Sequence, residues 1–324
     1  MPQWPVNPAD LLHLANLLGV GLLLWLALTI GFVLHLLTHP KRKGYGWAVA
    51  RGLPAEPNEG DFPSAAVDEW TVRSRGVDLP VWAITNPSRP TGPTLVLCHA
   101  WGESRVSLLD WAEALYPHAG RLVLWDMPGH GEAAGTSTLG MREPQDLAAI
   151  TGSLPEEAVA APVVLLGLSM GAGIAIAAAA ALGENDRKPA GIIAIGPPRR
   201  VQEPARRLFR LVGLPWQVGG RPALQLLAWR FGRWRWFDRL EAARRLSAPL
   251  LVLTGAADEL CLPAEGRRLA EAAPDGRFLE LPRVRHGREI EAVTPAGNGN
   301  AERLNPAVQA IVAFLAELPP SPHS

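Results

Sequence analysis

The stretch 162–183, PVVLLGLSMGAGIAIAAAAALG, narrows the fold more than any other part of this chain. An apolar run at 163–166 meets Gly167-Leu168-Ser169-Met170-Gly171 and continues into an alanine-rich segment of high helix propensity. The pattern predicts a strand, a sharp turn and a helix. Glycines two places either side of Ser169 let strand and helix approach closely, and a serine held at such a strained turn points its hydroxyl off the sheet. Ser169 is therefore a candidate nucleophile. Two plainer readings compete: a chance glycine–serine turn, and a membrane span, since the window is almost wholly apolar and long enough to cross. The glycines and serine in its middle, Pro162 in front and the charged stretch 184–188 behind fit a buried strand and helix better than a span.

Further short apolar runs occur at 94–98, 122–125, 191–195, 250–254 and 278–281, and helical spacing occurs at 107–116, around 144–150, at 263–273 and at 306–315. Ahead of them, 66–75 and 77–85 read as a hairpin on a sheet edge, turning at Gly76. Strands alternating with helices predict an α/β domain, its mostly parallel sheet covered by helices on both faces. Active sites in such sheets lie beyond the carboxyl ends of the strands. The residues found there are His99-Ala100-Trp101-Gly102, then Asp126, Ser169, Asp258 and His286. A serine attacking a carbonyl needs a base for its proton, and the base needs an acid that fixes its tautomer. Ser169, His286 and Asp258 supply all three in the chain order serine, acid, histidine. Asp126 is an alternative acid and Glu259 a weaker substitute. His99 and His130 are expected to hydrogen-bond loop backbone, and His118 to lie on the surface.

These motifs, namely the G-L-S-M-G turn, H-A-W-G, D-M-P-G-H-G at 126–131, G-A-A-D at 255–258 and Arg285-His286-Gly287, together resemble the α/β-hydrolase superfamily over roughly residues 66–318. Within it the loops look most like lysophospholipase or monoacylglycerol-lipase-type serine hydrolases. The resemblance implies an oxyanion hole formed by the backbone N–H groups of Met170 and Trp101. Ala100 stands where the family usually has glycine, and its β-carbon is expected to constrain that loop.

Residues 11–37 contain no Asp, Glu, Lys or Arg and are rich in leucine, which predicts a transmembrane helix. A cleaved secretory signal is the competing reading, but no basic residue precedes the apolar run and no small-x-small cleavage site is evident. Lys41-Arg42-Lys43 and Arg51 follow the run directly, which puts the catalytic domain on the cytoplasmic side. Trp4 on one side and Tyr45 and Trp47 on the other suit the two interfacial belts. The expected organisation is a tail at 1–10, the span at 11–37, a basic juxtamembrane segment with a Pro/Gly linker at 38–64, the α/β-hydrolase domain at 65–318 with a cap at 197–246, and a tail at 319–324.

Between 197 and 240 ten arginines face only Glu203 and Asp238 and are interleaved with Trp216, Trp229, Trp234, Trp236 and Phe237. Beside a membrane anchor this composition reads as a lid on anionic headgroups or as a roof over the pocket, rather than as a nucleic-acid surface. Lys+Arg 31 balance Asp+Glu 31, so no net charge draws the whole chain to nucleic acid. Cys98 and Cys261 are too few for a disulfide framework, and Cys261 reads as packing. No metal-ligand spacing or phosphate-cradling loop occurs, so neither metal nor cofactor is expected. The expected function is hydrolysis of a lipid-like or small acyl ester through an acyl-enzyme. An acyl-thioesterase, an acyltransferase and a catalytically silent module of the same fold are the alternatives.

Overall fold

The computed structural model describes residues 7–182, 188–232, 238–291 and 305–318. Eight strands form one sheet: β1 (Ala66–Ser74), β2 (Val77–Thr85), β3 (Thr94–Cys98), β4 (Arg121–Trp125), β5 (Val163–Leu168), β6 (Gly191–Ile195), β7 (Leu250–Gly255) and β8 (Gly276–Leu281). Their order is β1-β2-β4-β3-β5-β6-β7-β8. β1 and β2 pair antiparallel at one edge, β2 meets β4 antiparallel, and every other pairing is parallel. The edge hairpin turns at Arg75 and Gly76, both at positive φ, the backbone that a tight two-residue hairpin requires.

The helices are α1 (Pro8–Thr38), α2 (Tyr45–Val49), α3 (Leu109–Leu115), α4 (Glu143–Gly152), α5 (Glu156–Ala160), α6 (Met170–Ala181), α7 (Gln202–Leu211), α8 (Gly220–Arg230), α9 (Arg239–Arg244), α10 (Pro263–Ala272) and α11 (Pro306–Ala316). Alternation along each strand divides the core into two layers. Val96 and Cys98 of β3 pack with Leu147 of α4, Ile174 of α6, Ala243 of α9 and Leu269 of α10 on one face. Leu95 and Leu97 pack with Leu109 of α3 and Ile311 of α11 on the other. Because β3 has β4 on one side and β5 on the other, the connections leaving it diverge at its carboxyl end. That divergence opens the crevice into which such sheets place a ligand.

Two features differ from expectation. Part of the stretch expected as a juxtamembrane segment and linker is packed, with Ala48 fully buried and Ala55 nearly so against Trp82, Leu97 and other core residues. The cap, in turn, consists of α7 and α8, whereas α9 lies against α6 and α10 with Ala242 and Ala243 in the main core. Arg233, Trp234, Arg235, Trp236 and Phe237 of the cap, Trp4 with the rest of residues 1–6, and residues 319–324 lie outside the described residues, whereas Pro8–Asp10 of the expected N-terminal tail form the first turn of α1, capped by the Asn7 side chain.

α1 is long and apolar enough to cross a membrane. From residue 7 to residue 25 every position is exposed, and after that its side chains begin to pack. Ile30, Val33, Leu34 and Leu37 meet Phe209, Trp216 and Ala223 of the cap, so the last turns of the apolar helix are docked on the domain.

Candidate active site

Ser169 joins β5 to α6 with φ 50° and ψ −112°, a backbone conformation that a residue with a side chain rarely adopts. The neighbouring glycines make this crossing sterically feasible. A β-carbon on Gly167 would overlap the Gly171 carbonyl, and one on Gly171 would overlap the carbonyl oxygen of Cys98 at the end of β3. The Ser169 amide donates to Ile195 O at 2.7 Å, which ties the turn to β6.

His286 lies in the loop after β8. Its Nε2 is 2.9 Å from Ser169 Oγ and its Nδ1 is 2.7 Å from Asp258 Oδ2. Asp258, in the loop after β7, is buried, and its other oxygen, Oδ1, accepts the amides of Leu260 at 2.8 Å and Cys261 at 2.7 Å. Both oxygens are thus engaged and the carboxylate is fixed. An anion facing Nδ1 holds the proton there and leaves Nε2 free to accept from the serine hydroxyl. The three residues that the sequence proposed for proton transfer and attack therefore stand in one hydrogen-bonded chain.

Burial disfavours a charged imidazole, but the hydrogen bond from His286 to Asp258, together with the charges of Asp258 and Glu289, outweighs it and raises the pKa above 6.5. Glu289 is the residue that sequence reasoning missed. It is buried close to His286, and burial raises its own pKa. Its position three residues after the histidine is the only signal the sequence offered. A base must be neutral to accept a proton, so kcat/KM for a soluble ester should rise with pH through a midpoint above 6.5. Glu289→Gln removes a negative charge near the ring, so its midpoint should fall. A wild-type midpoint at or below 6.5, measured under single-substrate conditions, would contradict this electrostatic account.

Met170 heads α6, where amides have no intrahelical acceptor. Trp101 is the second residue of a turn closed by Glu103 N donating to Ala100 O at 3.1 Å, with Gly102 at φ 75°. Ala100 is not among the positive-φ residues, so its β-carbon causes no backbone strain. Trp101 and Met170 line the same cavity of about 720 Å³ as Ser169 and His286. The apolar part of its wall includes Leu37, Trp47, Leu139, Val201, Ala205 and Leu208. The Trp101 indole N–H donates to Leu37 O at 3.0 Å, and the Ser137 amide donates to Thr38 O at 2.9 Å. Lys43, just beyond, pairs with Glu103, and its carbonyl accepts from the Ser104 hydroxyl. The end of α1 is thereby bonded to the loop that carries the Trp101 amide.

The remaining candidates have other roles in the structure. His99 is fully buried, its Nε2 accepts the Met127 amide at 3.0 Å and its Nδ1 donates to Ala100 O at 2.8 Å, with burial first among the causes that hold its pKa well below 6.5. His130 Nδ1 donates to Pro128 O at 3.1 Å. Asp126 accepts the amides of Arg105 at 2.8 Å and Glu132 at 2.9 Å, and burial raises its pKa to about 6. It braces two loops, and no hydrogen bond links it to His286. Glu259 is exposed. Cys261 is buried and its thiol is pushed well above 9.0, chiefly by burial. Asp258, Cys261 and His286 bring donor atoms within 4.8 Å of one another, the one such group among the described residues. Two of its members already bond each other, and His286 also bonds Ser169.

The family model described as serine aminopeptidase, S33, matches residues 90–238, from the approach to β3 to the start of α9. The Pyrococcus furiosus esterase Pf2001 superposes with a TM-score of 0.64 at 19% identity, over 86% of this chain and 99% of that one. The chain has the α/β-hydrolase fold. A membrane phospholipase A described as a bacterial virulence factor superposes with a TM-score of 0.56 at 18% identity, over 96% of this chain and 98% of its own. An uncharacterized protein of Mycobacterium tuberculosis is 25% identical over 248 residues, covering 74% of this chain and 81% of that protein.

Proposed function

We propose that this α/β-hydrolase chain is a serine hydrolase of carboxylic esters, held at a membrane by α1 and acting on lipid-like substrates through an acyl-enzyme. The observation that carries the chemistry is the continuous line Ser169 Oγ, His286 Nε2, His286 Nδ1, Asp258 Oδ2 at 2.9 and 2.7 Å. In this reading Ser169 Oγ attacks the ester carbonyl as His286 Nε2 takes its proton. The developing oxyanion is held by the amides of Met170 and Trp101. His286 then protonates the departing alkoxide, leaving an acyl-Ser169 ester, and a water activated by the same nitrogen releases the acid. A thioester would pass through the same steps. The esterases and the membrane phospholipase A among the structural neighbours agree with this reading. Labelling of the full chain by a fluorophosphonate, followed by a panel of esters and thioesters of increasing chain length, tests it. No labelling, or hydrolysis confined to peptides, would reject it.

The membrane part rests on α1. Residues 8–25, exposed throughout, extend about 27 Å at 1.5 Å per residue, close to the roughly 30 Å hydrocarbon core. α7, α8 and the connection between them, which receive the foot of α1, expose Leu211, Val212, Leu214 and Trp229, as a cap resting at an interface would. The basic run at 41–43 favours a cytoplasmic domain, as positively charged flanks of a span do. The chain should stay with the membrane through carbonate extraction, and a tag at Ser324 should be inaccessible from outside intact cells. Release by carbonate would remove the span, and external labelling would reverse the orientation.

A further inference from the structure

A second hollow, of about 450 Å³, lies between α7 and α8 and shares no lining residue with the cavity of Ser169. Arg200 and Arg206 reach it from the α7 side and Arg221 from the first turn of α8, while Trp216 and Leu224 supply apolar wall. One carboxylate, Glu203, lines it with them. The positive charge there is only partly matched. Arg200 pairs at 2.8 Å with Asp238, which Arg199 also holds at 2.9 Å. Glu203 is shared, at 3.5 Å from Arg206 and 3.6 Å from Arg207. Arg221 has no carboxylate within ion-pair distance among the described residues and donates to Gln217 Oε1 at 3.3 Å. Guanidinium groups converging on one concavity repel one another unless an anion joins them, and their planar fork matches the oxygens of a phosphate.

The wall of this hollow is also the seat of α1. Trp216 packs edge-to-face on Phe209 at 5.5 Å and belongs to the apolar cluster that holds Ile30, Val33 and Leu34. At the start of α8, a β-carbon on Gly219 would stand 3.0 Å from Val33 and 3.6 Å from Thr29. The hollow therefore opens beside the level at which the exposed stretch of α1 ends, where a headgroup would sit if that stretch crosses a bilayer.

We propose that the hollow between α7 and α8 binds the phosphate of an anionic phospholipid headgroup through Arg206 and Arg221, with the acyl chains lying along the exposed leucines of α1. This rests on the reading of α1 as a membrane span and is independent of the chemistry at Ser169. The site is a seat for a resident lipid that orients the cap on the bilayer, distinct from the cavity that would receive the substrate.

The test uses the full chain in mild detergent, offered equal amounts of phosphatidylglycerol and phosphatidylcholine, with retained lipid counted by native mass spectrometry. Wild type should retain phosphatidylglycerol preferentially. Arg206→Gln with Arg221→Gln should weaken that retention by about tenfold, equal to about 1.4 kcal/mol. Arg267→Gln, on α10, should leave it unchanged. The thermal midpoint and circular dichroism of each variant report whether the fold is intact, and Arg221→Gln alone should give a smaller loss in the same direction. Equal retention by wild type and the double variant, or no preference in wild type, overturns the proposal. Displacement of the lipid by inorganic phosphate at equal concentration would reassign the hollow to a soluble phosphate and overturn the lipid source. Carbonate release of the chain would reject the span alone, since retention in detergent still tests the arginines.

Discussion

If the proposed function holds, Ser169→Ala should abolish fluorophosphonate labelling and lower ester turnover by about 10⁶, the scale of loss when a Ser-His-Asp triad loses its nucleophile. Its fold should survive, for reasons visible in the turn. Alanine enters the φ 50° backbone on the same terms as serine, since both carry a β-carbon, and the tight approach of β5 and α6 depends on Gly167 and Gly171 instead. The tie from the residue 169 amide to Ile195 O is made by the main chain and is retained. The hydroxyl removed has His286 Nε2 as its partner, and it faces the cavity, where water can replace it. The thermal midpoint should therefore shift little while chemistry disappears. On the proposed mechanism, any residual turnover would come from the amides of Met170 and Trp101 and from substrate binding. Labelling of the alanine variant would show that another residue is the nucleophile.

The sheet was legible because each strand is a short, almost unbroken apolar run, the form taken by a strand buried on both faces. The runs at 94–98, 191–195 and 250–254 correspond to β3, β6 and β7 almost to the residue. Their order in space is not written in such runs, because one buried strand is as apolar as the next. The placement of β4 outside β3 depends on the handedness and length of the connections. Ser169, Asp258 and His286 could be picked out because each directly follows a strand or sits in a motif of distinctive composition. Glu289 could not, since its burial beside His286 depends on how the loop after β8 folds back. The packing at 38–55 was hidden for a different reason. Its contacts are single residues, such as Ala48 and Ala55, with no repeating period, so the segment reads as a basic juxtamembrane stretch running into a linker although it supports the cavity wall. The arginines of the cap look alike in sequence, yet Arg239 is buried beneath α6 and Arg207 pairs with Glu265 on α10, whereas Arg206 and Arg221 face an open hollow.

Asp258→Asn should cost about 10⁴ in kcat, a loss that follows from proton position more than from charge alone. In the native arrangement Oδ2 accepts from Nδ1–H at 2.7 Å, so Nε2 faces Ser169 Oγ with a lone pair. An asparagine keeping its carbonyl toward the amides of Leu260 and Cys261 would present its NH₂ group to Nδ1. That arrangement moves the ring proton to Nε2, where it meets the serine hydroxyl and cannot accept its proton. Because the two loop amides keep their acceptor, the fold should be preserved. The loss of Asp258's charge should also lower the pKa of His286, so the acid limb of the residual activity should move down in pH. Glu289 would remain as the negative group near the ring, without the hydrogen bond that fixes the tautomer. Asp126→Asn separates the two carboxylates by a different signature. Asp126 uses one oxygen for the Arg105 amide and the other for the Glu132 amide, so an asparagine can satisfy only one of them. The cost there should be about 1–3 kcal/mol of stability, the penalty for a buried donor without a partner, with turnover per folded molecule nearly unchanged. Glu259→Gln, at an exposed position, should change neither quantity. Turnover and thermal midpoint measured together on the three variants decide the assignment. A fall in turnover at Asp126→Asn equal to that at Asp258→Asn, with both midpoints unmoved, would transfer the orienting role to the loop after β4.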